Sequence, residues 1–560
     1  MIKDVLRSNW LFPGFLVLLT LLNLAQAFFS ELILDESYYW YFSQNLSWGY
    51  FDHPPMVAFF VWLGGLFFEG ELGVRFFAAF LFSGTIWFLW QCVDHKDKQQ
   101  NQVLFCIFTA SVALLNVYGF FMIPDTPLLF FAALFLWAYK RFLEHEDLIS
   151  VLLLAICMAA MMYSKYHAVL LIGFVLLSHP RLLLNVRFLA AAAMALILYI
   201  PHIYWLYEND FVSIKYHLFD RADSRYKLAF TIEYLIGFLV IPGLTFPWIY
   251  KALFKTRFTD TFTRGLLFLV YGIFLFFLFS SFNRRTQAQW PVLVLLPMVI
   301  ITFRYALTHP SFKKWLLRAS IVSFVMLCFL RIAIVSEKLS PITYETHGNK
   351  KWVSEVISFS EGLPVVFRNS YTEASMLMFY ADRASFSLNG YPFRPNQFDL
   401  DSTENEFRHK KVVYMSNRYD ADSAFGYTRT FRKQIWRGIV IDSFVSWRKL
   451  KLILDEPYVH SQTKTLSFKL YNPYDEPVPV SDLYFYGLTM NKKKKPQDTL
   501  PIKLAGIEKK QMITPGDTLY LTAQLKDRNK IEGAAFFRVC ISEKDMLPFG
   551  FQGNVVPVKN

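Results

Sequence analysis

The sequence predicts a multi-span α-helical membrane protein with a C-terminal soluble α/β segment and, after it, a β-sandwich. Three observations carry that expectation. The 560-residue chain is 54% hydrophobic and 18% aromatic with 18% charged residues, and its mean hydropathy is +0.30, more apolar than a soluble protein of this size. Its apolar residues gather in the N-terminal part, in runs long enough to cross a bilayer at about 20 residues each. Beyond residue 336 the pattern changes to amphipathic helices and short alternating strands.

Taken in order, the apolar runs are 10–29, 71–91, 102–121, 127–139, 149–163, 168–178, 188–206, 233–253, 266–282, 290–303 and 316–335, which makes about 11 spans. The run 10–29 ends in Ala25-Gln26-Ala27 like a secretory leader, but it is nearly long enough to span, and an uncut first span is expected. With the amino terminus cytoplasmic, most Lys and Arg of the loops fall inside. The opposite side then holds Lys165, Lys215, Arg221, Arg225, Lys227, Arg284 and Arg285. That asymmetry puts everything beyond residue 336 outside, periplasmic if the membrane is a bacterial inner membrane. The net charge of +13 reflects inner-loop cations and a basic exported part, and an outward domain is a poor partner for nucleic acid.

The exported part divides into a small α/β domain, 342–445, and a β-sandwich, 446–560. The first combines helical patterns at 350–360 and 373–380 with buried-strand runs at 363–367 and 411–415. The second alternates at 450–454, 465–471, 483–487, 518–525 and 534–541. Lys492 to Lys495 reads as a solvated hairpin tip. Cys540 is alone in this region and the other four cysteines lie in or beside spans, so neither an internal disulfide nor a zinc spacing is expected.

Candidate chemistry clusters at the outer membrane boundary. Asp35 and Glu36 open the stretch DESYYWYFSQNLSWGYFDHPP, which also holds Asp52 and His53. Its aromatic residues fit interfacial helices, but interfacial anchoring gives no reason for three carboxylates in one loop. Asp125 stands in IPDTP at the next outer boundary, where it also reads as a helix start. Lys165, Tyr166 and His167 follow as a lone outer cation with aromatic neighbours, and Arg284, Arg285 and Gln289 form a further basic segment before Trp290-Pro291. His217 and Arg221 belong to an outer loop, 207–231, that reads either as a lid over a bound lipid or as an interfacial helix.

The order DESYYW, GYFDHPP, PDTPLL, SKYHAVLL and then the arginine and QAQWP segment resembles the GT-C glycosyltransferases of the protein O-mannosyltransferase type, together with the bacterial lipid A aminoarabinose transferases. The resemblance covers roughly residues 1–335 and makes that part the catalytic module, with an outer-face loop at 30–70. It implies an enzyme that moves a sugar, usually with inversion, from a polyprenyl phosphate to an acceptor hydroxyl on a glycan, lipid A or a protein. By resemblance Asp35 is the base, with Glu36 and Asp125 orienting sugar or acceptor. Asp52, His53, Lys165, Tyr166, His217, Arg221, Arg284, Arg285 and Gln289 then contact substrate, the cations stabilising the leaving phosphate. His53 departs from the family, where the matching position looks like a lysine on the lipid phosphate. A histidine there suits a protonated phosphate contact, a divalent ion beside Asp52 or simply a hydrogen bond inside the loop, so a metal stays open while no cofactor is required. The reading from another class is a non-enzymatic lipid or polysaccharide transporter, but that predicts acids in mid-span rather than at outer boundaries.

Overall fold

The computed structural model describes residues 10–220, 226–390, 393–417, 425–492, 494–506, 511–525, 530–543 and 553–559. Two compact units emerge: Met1–Val353 with Arg429–Lys433, and Ser354–Thr428 with Gln434–Asn560.

The first unit is helical, and several of its helices begin where a polar side chain replaces a missing backbone partner. Asp147, Asn185 and Asp260 each accept from a first-turn N–H, at 2.8, 3.0 and 2.8 Å, and so start Leu148–Ser164, Val186–Glu208 and Thr261–Ser280. All three caps stand at one end of the bundle, among charged loops. Between the caps the helices are apolar all round. Leu196, Ile197 and Ile200 on Val186–Glu208 and Val322, Met326 and Phe329 on Pro310–Val335 are more than 50% exposed, except that such faces meet lipid rather than water in a membrane.

The span count corrects the sequence expectation of about 11. Among the described residues six helices are long and apolar enough to cross: Leu11–Phe29, Gly70–Gln91, Asp125–Glu144, Val186–Glu208, Thr261–Ser280 and Pro310–Val335. A seventh results if Leu228–Val240 and Gly243–Lys255, bent by 87°, count as one. Met56–Gly65, Leu148–Ser164, Ala168–Ser178 and Val292–Thr308 are apolar but only 10–17 residues long. The run 102–121 is interrupted because Val112 is extended (ψ 107°) and the Asn116 amide donates to the Ala110 carbonyl at 2.9 Å. Hydropathy counts apolar residues and is blind to such breaks in the backbone ladder.

The second unit holds the C-terminal sheets. Among its described residues, Val365–Arg368 pairs in parallel with both Ser385–Leu388 and Val412–Ser416, and Ile435–Ile441 and Phe425–Thr428 extend that sheet antiparallel. Eight of the remaining strands hydrogen-bond in one order that starts at Lys451–Leu454 and Thr465–Tyr471 and ends at Val556–Lys559 and Val459–His460, and Val478–Pro479 pairs separately with Met512–Ile513. Leu452 also bridges to Gly553, so the ladder turns back over a single core containing Phe468, Phe485, Leu500 and Phe537.

Polar joints bind the five-stranded part of this unit to the segments around the eight-stranded sheet. The Arg408 guanidinium lies 4.3 Å from the Trp447 ring centroid and 4.2 Å from that of Tyr474 while bonding Glu476 and, at 3.1 Å, the Ser446 carbonyl. Burial pushes the Glu476 carboxyl up, but the His409 hydrogen bond at 2.7 Å and the Arg408 charge more than offset it and hold the group below its usual range. A folded pKa below the unfolded one stabilises at neutral pH, and this contribution is lost as pH falls through the folded value. Amide protection factors around 408–409 and 474–476 in the full-length protein, corrected for the intrinsic exchange rate at each pH, are therefore expected to fall on acidification below about pH 4.5, and less so in Glu476→Gln. Equal acid sensitivity in both proteins would remove Glu476 from this role.

Candidate active site

The helix Leu34–Gln44 begins the site. Ile33 is extended at its N-cap, and Glu36, three residues on, folds back so that its Oε2 accepts the Ile33 N–H at 3.1 Å. The same carboxylate takes Arg75 Nε at 2.8 Å and Nη2 at 2.5 Å, and both side chains are fully buried. Arg75 Nη1 donates to the carbonyls of Ala27 and Ser30 at 3.2 and 2.6 Å, and Nη2 to that of Glu31 at 2.9 Å. Glu36 Oε1 finally accepts the Met122 N–H at 2.9 Å. One buried ion pair thus fastens the start of the helix to Gly70–Gln91 and to the segment leading into Asp125. Asp35, one residue away and turned about 100° around the helix, is exposed.

Asp125 begins the helix Asp125–Glu144, with Pro124 at its N-cap. Its carboxylate is directed to the next hairpin, where Lys165 Nζ meets both oxygens at 2.7 and 2.8 Å. Both side chains are nearly buried, at 5% and 11% exposure, so each charge depends on the other. Tyr166 then places its hydroxyl 3.1 Å from His202 Nε2, while His202 Nδ1 is 2.6 Å from the Trp48 carbonyl.

The loop 45–55 is fixed by ties of this kind. The Tyr50 hydroxyl, which burial pushes up to about 12, donates toward the carbonyls of Phe42 and Asn45 at 2.9 and 3.1 Å. Ser213 Oγ donates to the Tyr50 carbonyl at 2.9 Å, and His217 Nε2 is 2.8 Å from that of Asp52. Gly49 is required by close approach: a Cβ there would lie 2.3 Å from Trp205 Cε3. Asp52 is 5% exposed. His53 Nε2 is 3.3 Å from the Tyr39 hydroxyl, and its ring centroid is 6.3 Å from that of His217. Burial first and then the nearby Asp52 charge push the Tyr166 phenol up, while the Ser213 hydroxyl acts the other way.

Arg284 reaches this network through Nη1, which donates to the His217 carbonyl at 2.7 Å. Arg285 is exposed and pairs with Glu233 at 2.7 Å, and Gln289 donates to Gln287 at 3.1 Å. Arg221 lies outside the described residues. Hydrogen bonds thus join Asp52, His217 and Arg284, the His53 and Tyr166 rings lie 6.3 and 5.8 Å from that of His217, and Lys165 with its partner Asp125 adjoins Tyr166 along the chain. Beside the loop runs an apolar groove of about 440 Å³ lined by Leu46, Trp48, Pro55, Met56, Phe59 and Tyr163. Among the described residues no three His, Cys, Asp or Glu side chains converge as metal ligands. Sequence reasoning missed Arg75, His202 and Ser213. Arg75 and His202 did carry a signal, as ionisable residues inside apolar runs.

Comparisons with known proteins bear on the fold. The crystal structure of ArnT from Cupriavidus metallidurans in the apo state superposes with a TM-score of 0.55 at 11% identity, covering 76% of this chain and 97% of that one. This chain has a GT-C fold. The same protein bound to undecaprenyl phosphate superposes on the GT-C chain with a TM-score of 0.54 at 13% identity, covering 77% and 98%. Residues 52–205 match the family described as Dolichyl-phosphate-mannose-protein mannosyltransferase. Two curated proteins of Rhizobium johnstonii are similar in sequence. The lipopolysaccharide core galacturonosyltransferase RgtA is 26% identical over 311 residues, 48% of this chain and 59% of that protein. The lipid A galacturonosyltransferase RgtD is 25% identical over 207 residues, 33% and 41%. The GT-C chain therefore spans three fifths or less of the length of these relatives.

Proposed function

We propose that this GT-C protein is a glycosyltransferase that moves a sugar from a polyprenyl phosphate to a hydroxyl of a lipid or glycan acceptor at the outer face of a bacterial inner membrane, with its amino terminus cytoplasmic. One observation carries the reading: an exposed carboxylate, Asp35, stands on a helix anchored by a buried ion pair, and the loop that follows it joins a basic, histidine-rich network to an apolar groove. A lipid-linked donor has those two halves, a long hydrocarbon and a phosphate. RgtA and RgtD are named for acceptors of the lipopolysaccharide class and ArnT was crystallised with undecaprenyl phosphate, which favours a glycolipid acceptor over a protein.

The reaction balances with these groups. Asp35 accepts the acceptor's hydroxyl proton as that oxygen bonds the anomeric carbon. The bond from the same carbon to the phosphate oxygen breaks, and the electron pair leaves with the polyprenyl phosphate. Attack opposite the departing phosphate inverts the anomeric centre. The growing phosphate charge is met by Arg284 and by His53 and His217 when protonated, donors already held in place and needing little reorganisation. Asp125 keeps Lys165 oriented beside Tyr166, a positioning role, and Glu36 does the same for the backbone that carries Asp35.

Sugar release from a panel of radiolabelled polyprenyl-phosphate sugars by the purified protein tests the assignment, and turnover of at least one donor is the expected result. Met56→Trp, which fills the groove, is expected to raise KM about tenfold or more at unchanged kcat, as loss of uniform tail binding does. If no donor is consumed the transferase reading falls. If Met56→Trp leaves KM alone, the tail lies elsewhere.

A further inference from the structure

We propose that the angle between Leu228–Val240 and Phe246–Lys255 binds an anionic phospholipid, an acyl chain filling the hollow between the two limbs and the headgroup phosphate resting on Lys251 and Lys255. This inference is independent of the transferase reading.

The angle is built into the fold. Gly243 turns the chain at φ +74°, a left-handed conformation that glycine adopts without strain. The carbonyls of Ile241 and Pro242 accept the backbone N–H groups of Leu114 and Ala113, each at 3.4 Å. Across the angle the Tyr250 hydroxyl donates to the Phe238 carbonyl at 2.5 Å, and Tyr234 donates to that of Phe274 at 2.8 Å. These ties hold open a hollow of about 370 Å³, walled by Phe238, Leu239, Tyr250, Phe254 and Phe274. That volume is in the range of small-ligand sites, and its wall is almost wholly apolar. Leu239 is 43% and Phe254 75% exposed, so the mouth opens outward, where the surrounding medium is lipid.

The second limb divides its faces in three. Ile249, Ala252 and Leu253 are buried in the bundle, Tyr250 and Phe254 wall the hollow, and Lys251 and Lys255 follow on the exposed side one turn apart. Arg257 continues the basic surface just past the helix end. Three other cations at the same end of the bundle have carboxylate partners, Lys140 with Asp94, Arg141 with Asp147 and Arg304 with Asp260, while Lys313 donates to the Asn101 amide and Arg318 lies over the Trp315 ring. Among the described residues no carboxylate pairs with Lys251, Lys255 or Arg257. An apolar slot beside unneutralised cations is complementary to a lipid whose tail is hydrocarbon and whose head is a phosphate with net negative charge. A neutral headgroup would leave those cations unmatched.

Native mass spectrometry of the full-length protein in neutral detergent decides between occupants, with phosphatidylglycerol and phosphatidylcholine of identical chains offered at equal concentration. Each cation near a charged lipid surface contributes about fivefold, so the pair is expected to give about a thirtyfold preference for phosphatidylglycerol. Lys251→Gln with Lys255→Gln should bring the two lipids to parity, and Leu239→Trp, which fills an already exposed position in the hollow, should reduce adducts of both. Equal binding of the two lipids by the parent overturns the proposal without reference to any variant. So does a preference that survives the double lysine change, or a dimer in place of lipid adducts, which would make a second copy the occupant.

Discussion

Replacing Asp35 by Asn is expected to lower turnover of the lipid-linked donor by about 10² to 10⁴, the range of a lost general base, while donor binding stays close to that of the parent. The change is isosteric, the side chain is exposed, and what it removes is a first-turn carboxylate charge beside a helix N-terminus. The loss should therefore appear in kcat and not in KM. It should also erase the acid limb of the pH profile of kcat/KM, because no carboxylate remains to be titrated. Asp125→Asn has a different signature. Removing that charge strands Lys165 in a nearly buried position, so stability and turnover should fall together, with the acid limb kept. If Asp35→Asn works within a few-fold of the parent and Asp125→Asn loses the acid limb, the base is Asp125.

The contrast between Asp35 and Glu36 also marks what a sequence can and cannot say about this protein. Adjacent acids at a membrane boundary announce a polar site, and the motifs around them predict which segments share one end of the bundle. The sequence does not say which acid is available. That is set by one helical step of about 100°, which turns Glu36 into a buried pair with Arg75 and leaves Asp35 facing outward. Pairings across the chain are hidden for the same reason. Lys165 and Arg284 read alike as outer cations, yet Lys165 is held by Asp125 while Arg284 supports the backbone of His217. The helical membrane class was legible because solvent imposes it on every residue. The number of spans was not, since the breaks at Val112 and Gly243 depend on a few backbone hydrogen bonds. Arg75 was visible as a cation inside the apolar run 71–91, and an arginine there is itself a pointer to a buried acid.

That arginine supports the largest stability effect expected in the molecule. Glu36→Ala should destabilise the protein by about 3–5 kcal/mol, the cost of leaving a buried charge without its partner, and thermal midpoints in detergent should fall accordingly. Arg75→Lys is expected to be nearly as damaging. The guanidinium joins Glu36, Ser30, Ala27 and Glu31 at once through its fork, whereas an ammonium has three donors at a single point. Removing both charges together, with Glu36→Gln and Arg75→Met, should cost less than the sum of those same two changes made singly because no unpaired ion remains, and that difference measures the coupling. Turnover should drop in every one of these variants, since Asp35 stands on the backbone that the pair fixes. The acid limb of the pH profile should nevertheless survive, as Asp35 itself is untouched. If Glu36→Gln keeps the parent's midpoint yet loses turnover together with the acid limb, Glu36 is acting on substrate and the positioning role assigned to it here is wrong.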